Sequence, residues 1–252
     1  MTGNIAVVLA AGGRGERCSI TETGLPKQFL LLAGEPIYIW SLRAFCNHPR
    51  INQIVVVGIA NQLETFKAGV EQYLSQFVER ILFIGGGSSR QASVLAGLET
   101  LFEQEPVPQY VLVHDAARPF IQQIDIDRVI AGLEKGSACA LAAPVSDTIK
   151  RAEDELILDT INRQGLFLTQ TPQAADFAVL LQAYRKLQSS GVATTDDAGV
   201  LEHSQVPVRV ILGSSLNFKI TNADDFLLAH ALAPLLKEGD MLHLLKMRNC
   251  IE

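Results

Sequence analysis

Three widely separated cations and one glycine-rich loop are the residues of this 252-residue chain whose types suit chemistry on a phosphate. The apolar run Ile5 to Leu9 stops at Ala10-Ala11-Gly12-Gly13, where small residues leave the backbone open to close approach. Arg14 and Arg17 follow in the same loop, and Lys27 stands behind Pro26. A backbone cradle beside fixed positive charge suits a nucleoside triphosphate. Far along the chain, Lys219 interrupts the alternation Asn217-Phe218-Lys219-Ile220-Thr221, where a lysine on a buried strand is hard to explain unless it faces an anion. Nucleotidyl transfer is the reaction such a set fits. A phosphate oxygen attacks the α-phosphorus of a triphosphate in line, charge builds on the equatorial oxygens and on departing pyrophosphate, and fixed cations supply most of the catalysis. Arg17, Lys27 and Lys219 are the candidates. The competing reading of each is a solvated surface charge, which is how Arg14 and Lys150 are taken.

Two further junctions carry polar residues at the ends of apolar runs. Gly85-Gly86-Gly87-Ser88-Ser89-Arg90 offers backbone groups and hydroxyls to a base edge, with Ser93 one turn on; a helix cap by Ser88 or Ser89 is the alternative. In His114-Asp115-Ala116-Ala117-Arg118-Pro119, Asp115 stands where a carboxylate can hold a divalent cation bridging phosphates, or where a turn aspartate commonly sits. His114 is read as structural, and Arg118 as a partner for Asp115 or a neighbouring carboxylate. Thr195-Asp196-Asp197 reads as a helix start, and Asn217 as either a second metal ligand or a turn residue. Taken alone, Gly13-x-Gly15-x-Arg17 leaves phosphate binding and a structural turn both open. A dinucleotide fingerprint wants glycine where Cys18 stands, and no Gly-Lys-Ser/Thr ending marks a P-loop.

The elements that position these loops alternate. Apolar strands are expected at Ile5–Leu9, Ile54–Gly58, Ile81–Ile84, Tyr110–Val113 and Ala138–Pro144, separated by helices at Ile37–Cys46, Gln62–Val78, Gln91–Phe102 and about Asp125–Lys135. Near-continuous apolar strands between amphipathic helices are the pattern of an α/β fold, with a mostly parallel sheet covered on both faces. Ligands of such sheets bind at the carboxyl ends of strands, so the three loops are expected to converge on one crevice. The rhythm breaks at Val145: residues 146–171, around the acidic turn Glu153-Asp154-Glu155, read as a projecting β-hairpin. Helices resume at Ala175–Ser189 and Asp196–Glu202. Strands are then expected at Val208–Leu212 and Phe218–Thr221, before a capped helix through Leu236. No linker divides the chain, so one domain spanning 1–252 is expected, with 146–171 as its arm.

A net charge of −6 excludes the basic surface of a general nucleic-acid or anionic-membrane binder. Cys18, Cys46, Cys139 and Cys250 are scattered and lack metal spacing, and no apolar run is long enough for a membrane span. A cytoplasmic protein with free thiols is the expectation.

Taken together and in order, LAAGGRGER…LPKQF, GGGSSRQASVLAGL, VLVHDAARPF, APVSDTIKR, NRQGLFLTQTPQ, TTDDAG and NFKIT resemble the 2-C-methyl-D-erythritol 4-phosphate cytidylyltransferase family over nearly the whole chain. The resemblance implies a Rossmann-like nucleotidyltransferase fold. It also implies CTP and Mg2+, and the reaction of CTP with methylerythritol phosphate to CDP-methylerythritol and pyrophosphate. It places Arg17, Lys27 and Lys219 around the α-phosphate, and Ala10, Ala11, Gly12, Gly86 and Ser93 on the cytidine nucleotide. Asp115 lies near the metal and both substrates. The resemblance further implies that Thr148 and Arg163 grip the acceptor phosphate from an arm that swaps across a homodimer. The first loop carries one residue more than the family's A-A-G-x-G-x-R, so Gly12 and Gly13 both qualify for its first glycine. Another polyol phosphate, such as ribitol 5-phosphate, remains as an alternative acceptor. A nucleotide-binding protein without catalysis is the alternative from another class, against which the three retained cations speak.

Overall fold

The computed structural model describes residues 4–13 and 26–237. In chain order the strands are β1 (Ile5–Ala10), β2 (Leu31–Leu32), β3 (Glu35–Pro36), β4 (Ile51–Gly58), β5 (Ile81–Gly85), β6 (Tyr110–Asp115), β7 (Ala138–Pro144), β8 (Ile149–Glu153), β9 (Leu156–Ile161), β10 (Phe167–Asp176) and β11 (Arg209–Leu212). The helices are α1 (Ile37–Cys46), α2 (Leu63–Tyr73), α3 (Arg90–Phe102), α4 (Gln123–Leu133), α5 (Phe177–Ser190), α6 (Asp197–His203) and α7 (Ala223–Lys237).

Seven strands form one sheet in the order β11-β7-β10-β6-β1-β4-β5. All neighbours are parallel except β10, which runs antiparallel to both β6 and β7. Strand periodicity divides the apolar residues between two cores. Ile5, Val7 and Leu9 of β1, with Ile54 and Val56 of β4, face α1, α2 and α4; Ala6 and Val8, with Val55 and Val57, face α3, α5 and α6. Residues that alternate in this way and are all apolar make a sheet buried on both sides, as the sequence led one to expect. A third cluster of Leu32, Ile37, Trp40, Phe120, Ile220, Ala229 and Ala233 seats α7 beside the β2–β3 ribbon. Asn222 and Asp225 close the start of α7 as a reciprocal cap: the Asp225 amide donates to Asn222 Oδ1 (2.9 Å), and the Asn222 amide to Asp225 Oδ2 (3.1 Å).

Three elements differ from the sequence reading. The helix expected over 62–78 stops at Tyr73 and continues as a 3-10 turn, Ser75–Arg80. The expected extended piece 218–221 belongs to no strand, because its main chain bonds to a loop instead: the Ile220 amide donates to the Ala117 carbonyl at 2.9 Å. The largest difference is β10. Residues 167–171, expected in the arm, and Ala175–Asp176, expected in a helix, form one strand in the middle of the sheet. Its run TQTPQ lacks a strand composition, since Gln170, Thr171 and Gln173 are buried through hydrogen bonds rather than as apolar surface. Pro172, which has no amide to donate, falls where the pairing with β7 is interrupted between Thr169 and Gln173.

The hairpin itself is β8–β9, a separate two-stranded sheet turned by Asp154 and Glu155, both with positive φ (48° and 65°). Leu156, Ile157 and Leu158 are 70%, 66% and 56% exposed in this chain. An isolated hairpin with such residues in water is marginal at best.

Helix α3 lies close on the sheet because Gly97 has no side chain: a Cβ there would meet Val8 Cγ1 at 2.7 Å and Val57 Cγ2 at 3.0 Å. Gly97→Val is expected to lower the unfolding free energy by about 1–3 kcal/mol through overpacking. The measurement is a urea titration in which the midpoint falls at constant slope; an unchanged midpoint would refute this close packing.

Candidate active site

Loops at the carboxyl ends of β1, β5 and β6 open on one cavity of about 1030 Å³, joined at its rim by Lys219 and Thr221 from the segment before α7. The strands of a parallel sheet deliver their following loops to the same edge, so the convergence is a product of topology. Ala10, Ala11, Gly12, Gly13, Lys27, Ser93, Asp115 and Lys219, all singled out in the sequence, line it. A second cavity of about 270 Å³ adjoins it and shares Arg90, Asp115, Thr195 and Lys219. These four residues form the common wall of two compartments.

The glycines have different reasons for being there. Among the described residues an added Cβ at Gly12 would find its nearest atom at 3.7 Å, and at Gly13 nothing within 4 Å, so the described residues demand glycine at neither. Their lack of side chains keeps the cavity open. Neither amide bonds another described residue, whereas the Ala11 amide donates to the Val57 carbonyl at 2.8 Å. Gly86 is different. Its amide donates to the Gly58 carbonyl at 2.8 Å, and a Cβ on it would sit 2.7 Å from Ser93 Oγ. It joins the β5 loop to the end of β4, and its neighbours Gly87, Ser88 and Ser89 are the ones that line the cavity. Ser93 braces that loop, donating to the Ser89 carbonyl (2.8 Å) and accepting from the Gly87 amide (3.1 Å). Ser89 caps α3 by accepting from the Ala92 amide.

The electrostatic centre is Asp115, buried at the end of β6. Its Oδ1 accepts from Arg90 Nε at 3.0 Å, and its Oδ2 from Lys219 Nζ at 2.7 Å. Burial alone would raise the carboxyl's pKa, but the charges of Arg90 and Lys219 outweigh it and hold it well below the usual carboxylate range. Arg90 in turn forks onto Asp197 with bonds of 3.0 and 2.7 Å. Tyr184 completes the set by donating its hydroxyl to Asp197. Burial opposes the Arg90 charge, while Asp197 and Asp115 stabilise it and raise its pKa. Lys27 Nζ bonds the carbonyl of Ile220, next to Lys219, at 2.8 Å, so the two lysines are tied through one piece of main chain. Beside Lys27, Gln28 donates to the Ala11 carbonyl at 2.9 Å and fixes the far side of the loop.

His114 is fully buried, and desolvation lowers its pKa to about 4, so its ring is neutral. Its Nε2 donates to the Arg118 carbonyl, and its Nδ1 accepts from the Thr171 hydroxyl. Thr171 Oγ1 also accepts the Asp115 amide, which makes His114 a brace. Arg118 does not bond a carboxylate; it donates to the carbonyls of Asn217 and Thr169. Asp196 is the expected helix cap, accepting from the Gly199 amide at 2.9 Å. Its neighbour Asp197 is the residue that the sequence reading missed. Two consecutive aspartates, of which a cap needs one, are the signal available in the sequence. Arg17 lies outside the described residues. Thr148 and Arg163 are exposed on the arm and line neither cavity, with Arg163 bonded to the Ser146 carbonyl.

Comparison with known proteins places the chain in a family. The family model described as 2-C-methyl-D-erythritol 4-phosphate cytidylyltransferase matches residues 5–234. The enzyme of that name from Halalkalibacterium halodurans is 37% identical over 227 residues, which are 90% of this chain and 96% of that one. The "Bifunctional enzyme IspD/IspF" of Desulfotalea psychrophila is 39% identical over 226 residues, and the match spans 56% of its length. Among solved structures, the 2-C-methyl-D-erythritol 4-phosphate cytidylyltransferase of Thermus thermophilus superposes with a TM-score of 0.72 at 30% identity, over 91% of this chain and 98% of that one. With the fold, the two-compartment cavity and a family match running from the first strand into the last helix, the chain belongs to the 2-C-methyl-D-erythritol 4-phosphate cytidylyltransferase family.

Proposed function

We propose that this chain condenses CTP with 2-C-methyl-D-erythritol 4-phosphate to give CDP-methylerythritol and pyrophosphate, in non-mevalonate isoprenoid biosynthesis. The observation that carries the reading is the meeting of Lys27, Lys219 and Asp115 with the Gly12-Gly13 loop in one cavity. An oxygen of the acceptor phosphate bonds to the α-phosphorus of CTP, the bond from that phosphorus to the bridging oxygen breaks, and pyrophosphate leaves with the electron pair. Lys27 and Lys219, with Arg17, stabilise the charge that gathers on the α-phosphoryl oxygens. The Gly12 and Gly13 amides are the backbone donors for the triphosphate, and Gly86 and Ser93 hold the wall against which the cytidine rests. The smaller cavity takes the acceptor, on the other side of the Asp115–Lys219 pair.

Magnesium fits these residues. Asp115 is a single carboxylate at the cavity wall, and a magnesium ion that arrives with a triphosphate needs only one or two carboxylates beside its phosphate and water ligands. No group of three or more His, Cys, Asp or Glu gathers among the described residues, so the protein's share would be Asp115. When bound, the ion neutralises charge on the triphosphate.

The unit is a homodimer joined through the arm. Leu156, Ile157 and Leu158 need cover, and the edge strand β11 adds exposed Val210 and Leu212. Thr148 and Arg163 would then grip the acceptor phosphate in the partner's site. The cytoplasm is the proposed compartment, and no helix among the described residues is long and apolar enough to cross a membrane.

Pyrophosphate release measured with CTP, Mg2+ and a panel of polyol phosphates tests the substrate: methylerythritol phosphate is expected to be turned over fastest, and faster turnover of ribitol 5-phosphate would replace it as acceptor. Subunit mixing tests the shared site. Lys27→Ala and Arg163→Ala are each expected to lower kcat by about 10²–10³-fold, as losses of transition-state charge stabilisation do. An equimolar refolded mixture of the two should recover about a quarter of wild-type activity, because half the dimers are mixed and each holds one intact site. No recovery would mean that arm and body act within one subunit.

A further inference from the structure

The sequence leaves Asn217 open as a second metal ligand or a turn residue; in the structure its main chain closes a turn onto the Ser214 carbonyl, while its side chain points elsewhere. It is completely buried and lines neither cavity. Its side-chain amide donates to the Thr171 carbonyl at 2.7 Å and to Gln170 Oε1 at 3.3 Å, both on β10. Those two acceptors fix the orientation of the amide and leave Oδ1 without a donor among the described residues. A buried acceptor without a partner costs free energy, so an apolar residue would serve better if filling space were all that was required.

The geometry points to a closed ring. Thr171 accepts the Asp115 amide on its hydroxyl and the Asn217 amide on its carbonyl. Two residues beyond Asn217, Lys219 returns to the Asp115 carboxylate at 2.7 Å. The main chain of Asn217 is held as well: its amide donates to the Ser214 carbonyl, and its carbonyl accepts from Arg118. On the far side of Lys219, the Ile220 amide donates to the Ala117 carbonyl. Lys219 therefore hangs from an irregular segment pinned at 217 and at 220, with no helix or strand to set its direction.

We propose that Asn217 is a positioning residue for Lys219, fixing the lysine against β10 so that its ammonium meets both Asp115 and the reacting phosphate. The inference rests on the role given to Lys219 above. Asn217→Ala and the near-isosteric Asn217→Asp both remove the amide donor. In the full-length protein, with CTP, Mg2+ and methylerythritol phosphate, each is expected to lower kcat about 100-fold, the cost of a misplacement of about 1 Å, while KM for CTP stays within about threefold. Placed in a Lys219→Ala background, the same substitutions are expected to lower kcat by less than about twofold, since the group they aim is already gone. An equal fall in both backgrounds overturns the proposal, as does loss of the folded circular-dichroism spectrum in both single variants. A crystal structure of Asn217→Ala reads it without turnover. Displacement of Lys219 Nζ from hydrogen-bond distance of Asp115 supports the proposal, and Nζ in its wild-type place overturns it whether or not the wild type consumes CTP.

Discussion

A buried carboxylate between two cations is the constraint on which the rest of the site depends. Asp115 ends β6 with one oxygen on Arg90 and the other on Lys219, and Arg90 is itself held by Asp197. The four charges alternate in sign and come from four places: the start of α6, the start of α3, the end of β6, and the segment before α7. The two carboxylates are the buried members, and a buried charge without a partner is costly, so Asp115 and Asp197 depend on the half-buried cations Arg90 and Lys219. Losing either cation would leave a buried carboxylate without its charged partner, which is the costly half of breaking such a pair. The set therefore does two things at once. It ties distant elements together, and it keeps Asp115 ionised and Lys219 aimed at the cavity.

Strand β10 supplies the support for that set. Gln173 accepts the Ala198 amide at 2.6 Å and donates to Asp196 at 3.0 Å, which fixes the start of α6 and with it Asp197. Thr171 holds the Asp115 main chain and the His114 ring. Gln170 donates to the Ser214 carbonyl at 3.0 Å, at the root of the segment that bears Lys219. The polar side chains that make this strand unlike its neighbours are the ones through which it organises the cavity. Its chemistry is support by hydrogen bond where the parallel strands offer support by packing.

Much of this was legible in the residues themselves. Runs such as Ile54–Val57 declare buried strands, and the glycine loops after β1 and β5 mark the sheet edge where a ligand belongs. Arg17, Lys27 and Lys219 were recognisable as a set because a phosphate demands cations, and Asp115 stood out separately as a carboxylate at the end of an apolar strand. What stayed hidden depends on long-range hydrogen bonding, which leaves no period in a sequence. Arg90 and Asp197 are 107 positions apart. The run TQTPQ resembles a loop until its partners are known, and Lys219 lies in an alternation that imitates a strand although its backbone pairs elsewhere. The bond from the Gly86 amide to the Gly58 carbonyl at the end of β4 is another such contact that no local pattern announces.

The continuity between arm and cavity makes the two legs of the arm unequal. Residues 167–169 leave the hairpin in register with Ala142–Pro144 of β7, and within two residues the same strand presents Thr171 to Asp115. Because side chains alternate across a strand, a slip of β10 by one residue against β6 would turn the Thr171 hydroxyl to the opposite face, away from His114 and the Asp115 amide. At the tip, between β8 and β9, an added residue disturbs only a solvent-exposed turn. The two ends of the arm thus differ in what they touch: the Asp154-Glu155 turn lines neither cavity, while the strand from Phe167 runs directly to Thr171 at the cavity wall.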